Sequence, residues 1–168
     1  MLQSPPTHTG SAGSEAARQD ASSLDPRKEI ILIAKVLMVV SASIILTLGV
    51  AHLFYTFWGP MLTPRDPALQ VSMSRVSPVI TKETTMWRAW VGFNASHSMA
   101  AMLFGLIYGF LAIAHSPLLF TSPFLLIVGL AMLGGFLALA KVYWFNVPFT
   151  SISISLGCYV ASIAASRA

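Results

Sequence analysis

Residues 87–98, WRAWVGFNASHS, run without interruption into MAAMLFGLIYGFLAIA at 99–114. Together with Met86 they exceed the roughly 20 residues that a helix needs to cross a hydrocarbon core of about 30 Å. The spacing predicts a membrane span over 86–114, broken by Ser116 and Pro117. Polar chemistry is carried into this span. Asn94 and His97 are costly at membrane depth unless they face a partner or a cavity, so each marks a candidate site.

Composition agrees with a membrane setting. The 168 residues are 55% hydrophobic and 10% charged, with a mean hydropathy of +0.73, whereas roughly a quarter of the residues in an average soluble domain are charged. A net charge of +4 invites a nucleic-acid reading. The lysines and arginines are scattered singly or in pairs, however, with no basic stripe between exposed aromatics, so no nucleic-acid partner is expected. Cys158 is the only cysteine. Intramolecular disulfides and paired-thiol chemistry are thereby excluded.

Three further spans flank the first one read, at about 34–57, 118–140 and 144–165. Val36 to Phe57 is an apolar run entered through Lys28 and Lys35, with Asp25 and Pro26 as N-cap and first helical residue. Ser122 and Pro123 form another helix start inside the third segment, and Lys141, Tyr143 and Trp144 mark its far boundary as cationic and aromatic residues do at the headgroups. The fourth is the shortest, because Pro148 belongs in a first helical turn. Residues 1–24, rich in Ser, Ala, Thr, Gly and Pro, have no apolar periodicity and read as a disordered tail before a membrane domain at 25–168. The fold class is therefore all-α, a transmembrane four-helix bundle.

Small residues show where helices approach, since lipid supplies no hydrophobic drive for association. Ser153, Gly157, Ala161 and Ala165 recur on the fourth span, and Ala101, Gly105 and Gly109 on the second, while Gly129, Gly134 and Gly135 soften the third. Such rows serve packing within the bundle, or a homo-oligomer face. Between the first two spans, Asp66 and Pro67 open a short amphipathic helix carrying Leu69, Met73 and Val76, closed by Pro78. It is expected to lie at the interface on the end of the bundle, as a seal or as a lid.

The chemistry available to the chain is sparse. Beyond the tail and the entrance to the first helix, the carboxylates are Asp66 and Glu83, both in one loop. That argues against ion-coupled carriers and di-metal carboxylate bundles, which place acidic residues at membrane depth. There is no Gly-x-Ser-x-Gly turn, phosphate-binding loop or dinucleotide fingerprint. Asn94-Ala95-Ser96 matches a glycosylation sequon only formally, because it falls inside a span.

What remains is an intramembrane polar cluster of His52, Asn94, Ser96, His97 and Ser98, with Tyr108 deeper. Trp90, Asn94, His97, Ala101, Phe104 and Tyr108 share one face of the second helix. His52 precedes the end of the first span and His97 follows the start of the second, so in antiparallel neighbours they differ in depth by about 6 Å at about 1.5 Å per residue. The two imidazoles can meet or share a ligand. A haem, or a quinone bound by His97 and Asn94, is conceivable, whereas a metal set is short by two ligands. The bland alternative has Asn94 and His97 bonded to hydroxyls or carbonyls of neighbouring helices. Trp87, Arg88 and Trp90 read as interfacial anchors, Arg88 facing Glu83 or Asp66, and His115 as solvated.

Residues 63–67 (TPRDP), 77–80 (SPVI) and 86–98 resemble a family of small bacterial four-span membrane proteins to which no function is assigned. The resemblance covers Ile44 to Ala164 and implies the fold and a bacterial inner-membrane location, with no functional residue to carry over. There is no match to vitamin K reductase-like bundles, which need paired cysteines, and only generic similarity to DoxX-like proteins. The expected role is non-enzymatic: a small subunit or accessory protein in the lipid bilayer, making contacts with other membrane subunits or with its own copies. The alternatives are an oxidoreductase component or lipophilic-ligand binder using His97 and Asn94, and a passive small-solute transporter. Arg27, Lys28 and Lys35 outnumber Arg65 around the first span, so the termini are expected in the cytoplasm.

Overall fold

The computed structural model of the chain describes residues 26–168, and the described residues form six helices. These are α1 (Pro26–Phe57), α2 (Pro67–Arg75), α3 (Met86–Ala114), α4 (Ser116–Thr121), α5 (Pro123–Tyr143) and α6 (Asn146–Ala165). Four of them, α1, α3, α5 and α6, are long and apolar enough to cross a membrane. The expected disordered tail and the Asp25 cap lie outside the described residues.

Local chemistry sets the helix ends. Asp66 accepts the amide of Ala68 at 2.9 Å to start α2, Thr85 accepts that of Arg88 at 3.3 Å to start α3, and Ser122 accepts that of Leu125 at 3.4 Å to start α5. Each satisfies a helix N–H that has no partner within the helix. Proline at the first turn of α2 and α5 adds a preset φ at no hydrogen-bonding cost. The third span therefore begins at Pro123, not 118: residues 116–121 form the separate short helix α4, because proline cannot donate to the turn before it. After α1 the chain reverses through Gly59 at φ +91°, a conformation that side chains disfavour.

The bundle is antiparallel, and its closest contact joins α1 to α3. A Cβ on Gly105 would sit 2.6 Å from Leu46 Cβ and 2.7 Å from the carbonyl oxygen of Ala42, and one on Gly49 would sit 2.9 Å from the backbone nitrogen of Met102. These glycines let two backbones touch. On its other side α1 meets α6 in a serine-lined seam. Ser41 Oγ donates to Ser155 Oγ at 2.9 Å, Ser155 Oγ donates to the Ser41 carbonyl at 3.0 Å, and Ser162 Oγ donates to the Ala34 carbonyl at 2.6 Å. Seven residues separate each pair of positions along its helix, so the seam repeats every two turns.

Helix α6 in turn packs on α5. Tyr159 donates to the carbonyl of Leu126 at 3.0 Å and Tyr108 to that of Leu125 at 2.6 Å, both hydroxyls lying over Gly129, where a Cβ would collide with the Tyr159 hydroxyl. The backbones of α3 and α5 stay farther apart. Phe104, Tyr108, Phe136 and Tyr159, all buried, fill the space between them. Outward, Leu103, Phe110, Ile113, Phe124 and Ile127 are exposed, a surface suited to lipid and unsuited to water.

Two sequence expectations differ from the structure. The row Ser153, Gly157, Ala161 and Ala165 is not the packing face of α6, because Gly157 and Ala161 are exposed and a Cβ on Gly157 meets nothing within 4 Å. The buried face is Ile152, Ser155, Tyr159 and Ser162, where hydroxyls reach α1 carbonyls that alanine and glycine cannot bond. Helix α2 forms and contacts α3, but it buries no residue fully. Leu69 and Val76 stay exposed and Met73 half-buried, the disposition of an interfacial helix whose apolar side meets lipid.

Candidate functional site

The C-terminal end of α1, the N-terminal third of α3, the end of α5 and the residues before α6 lie at one end of the bundle, and they bring the two membrane histidines together. The His52 and His97 ring centroids are 5.6 Å apart with planes at 75°. Both side chains are half-buried.

Asn94, buried at the base of the pair, fixes one of them. Its Nδ2 donates to the Trp90 carbonyl at 2.8 Å. A carbonyl can only accept, so Oδ1 is left facing His52 and receives the Nε2 proton at 3.0 Å. Neutral His52 thus carries its proton on Nε2 and its lone pair on Nδ1. Ser98, fully buried one turn on, returns its hydroxyl to the Asn94 carbonyl at 2.8 Å, and Thr56 does the same to the His52 carbonyl.

His97 is different. No described side chain or backbone group hydrogen-bonds to its ring, which instead is walled by aromatics: Trp144 at 4.9 Å, Phe136 at 5.2 Å and Phe93 at 6.3 Å between centroids. The first two meet it edge to face, at 75° and 74°, and Phe93 lies nearly parallel. Such contacts satisfy the ring's carbon surface and leave its nitrogens unbonded.

The other sequence candidates disperse. Ser96 is exposed and bonds only to the carbonyl of Phe93 at 2.9 Å, so it has no part in the cluster. Helix rotation explains this: it lies two residues from Asn94 and therefore on the far side. Tyr108 belongs to the tyrosine group over Gly129, deeper in the bundle. Arg88 is exposed and forms no ion pair among the described residues, while Trp90 donates its indole N–H to the Leu62 carbonyl at 3.1 Å and ties down the loop after α1. Beneath that tie, Tyr55, Thr56, Leu62, Thr63, Trp87, Trp90 and Val91 enclose a cavity of about 10 Å³ reaching Asn94, room for roughly one water.

Sequence reasoning passed over Phe136 and Trp144 as walls of the site, and over the buried hydroxyls Ser41, Ser155 and Ser162. The i, i+4, i+7 spacing of Ser155, Tyr159 and Ser162 was the available signal for the second group. For the first there was none, since a ring contact from another helix leaves no local pattern. Among the described residues, no three ligating side chains of His, Cys, Asp or Glu converge.

Fold and site define an all-α, multi-pass membrane protein with a histidine pair near one end of its bundle. Comparison with protein-family models, curated proteins and solved structures finds no match to this chain.

Proposed function

We propose that the protein is a small, non-enzymatic subunit or accessory component of a bacterial inner membrane, acting through lateral contacts with other membrane subunits or with its own copies. One observation carries this reading. The polar side chains buried inside the bundle, Ser41, Asn94, Ser98, Ser155 and Ser162, are engaged in hydrogen bonds that join or rigidify helices, and no buried side-chain nitrogen or oxygen among the described residues lacks a partner. That is the economy of a scaffold. The described carboxylates, Glu29, Asp66 and Glu83, are all exposed, so no acid lies in the interior for proton or metal-ion chemistry. Arg27, Lys28 and Lys35 put the termini on the cytoplasmic side.

Isolation from its own membrane in mild detergent, followed by native mass spectrometry, tests this reading. The expected species is a discrete assembly with a second polypeptide or a second copy in fixed ratio. A lone 18.1 kDa chain carrying a haem or quinone would overturn it.

The second reading, a lipophilic-ligand binder or oxidoreductase component, is favoured by the unbonded His97 ring. It now rests on His97 alone, because both ends of the Asn94 amide are committed to His52 and Trp90.

A further inference from the structure

We infer that His52 and His97 form a two-coordinate site for a monovalent soft cation of the copper(I) class. The observation behind it is the pairing of an oriented imidazole with an unbonded one. Asn94 takes the Nε2 proton of His52, which leaves Nδ1 as the electron-pair donor. Histidines that ligate metals characteristically give their other ring N–H to an oxygen acceptor, which fixes tautomer and ring orientation. His97, 5.6 Å away between ring centroids, has no hydrogen bond on either nitrogen and either tautomer open to it. Two imidazole–metal bonds of about 2 Å each span about 4 Å between nitrogens, a separation that rings at this distance reach by side-chain rotation.

The donor set selects the ion. Tetrahedral zinc needs four ligands, or three and a water, and magnesium and calcium need oxygens. Here there are two neutral nitrogens, and no group of three His, Cys, Asp or Glu side chains among the described residues. A d¹⁰ monovalent ion accepts two ligands. It also brings half the charge of a divalent ion into a low-dielectric setting without a counter-anion, where the cost of burial rises with the square of the charge. The walls fit the same ion, since Trp144, Phe136 and Phe93 surround His97 with aromatic rings that stabilise a nearby cation. His97 remains half exposed, so the ion has access from outside the bundle.

The test uses the full chain without a polyhistidine tag, in detergent under anaerobic reducing conditions, titrated with copper(I) against bicinchoninate. The expected result is one copper per chain. His52→Ala and His97→Ala each weaken it more than tenfold, Asn94→Leu weakens it about tenfold through the lost orientation of His52, and the His8→Ala, His115→Ala double variant leaves it unchanged. X-ray absorption of the unsubstituted chain, which does not depend on any variant folding, should show two nitrogen neighbours. Absence of copper(I) binding, retention of full affinity in folded His97→Ala, a sulfur neighbour, or equal affinity for zinc would each overturn the assignment.

Discussion

Asn94 on α3 accepts the Nε2 proton of His52 on α1 at 3.0 Å while its own amide is held by the carbonyl one turn back. The bond is thus prepaid in orientation and crosses the seam where two helices are closest. A double-mutant cycle with His52→Ala and Asn94→Ala, followed by unfolding in mixed micelles, should give a coupling energy of about 1 kcal/mol, within the range for hydrogen bonds between membrane helices. Additive effects of the two substitutions would show that the pair is not formed in the micelle.

Glycine substitutions should separate packing positions from open ones. Gly105→Ala drives a methyl group against Leu46 and the Ala42 carbonyl, and Gly49→Ala one against the Met102 backbone. Neither obstacle is a flexible side-chain tip, so α1 and α3 must move apart, at about 1–3 kcal/mol each. Gly157→Ala and Gly134→Ala meet open space and gain helix propensity, for an effect between neutral and about 1 kcal/mol stabilising. Thermal unfolding of the four variants in one detergent checks the order.

The bundle was legible because each span is a long apolar run closed by residues with a physical role: Thr85, Ser122 with Pro123, and Gly59 with Pro60. The meeting of His52 and His97 was legible as well, since both lie a short distance from the same end of adjacent antiparallel helices. Helix rotation was not. Small residues on α6 suggested Gly157 as a packing position, whereas the seam formed on Ser155 and Ser162, because a hydroxyl gives close approach and a hydrogen bond together. The apolar residues around each span carry little moment to choose between faces, so partners such as Trp144 and Phe136 emerge only once the helices are assembled.

Trp90 makes a separate prediction. Its indole N–H is the cross-link from α3 to the Leu62 carbonyl, in the loop that also holds Thr63 against Pro60. Trp90→Phe keeps a ring at the position and removes the donor. Hydrogen exchange should rise in residues 60–66 with little change in α1 or α3, whereas a change spread through the spans would mean that the loop tie supports the bundle itself.

The serine seam gives the last. Ser155 and Ser162 are fully buried on α6, and each donates to a carbonyl of α1 that is already accepting within its helix. A carbonyl oxygen has a second lone pair, so these bonds add to the helix without competing with it. Ser155→Ala and Ser162→Ala each remove one such bond while preserving close approach, and each should cost about 0.6 kcal/mol. Ser155→Ala also leaves the Ser41 hydroxyl without its partner on α6, so it should be the more damaging of the two. Ser155→Val keeps no bond and adds volume where none is free. It should exceed both, and a valine variant as stable as the alanine one would show that α1 and α6 are packed more loosely than their hydrogen bonds require.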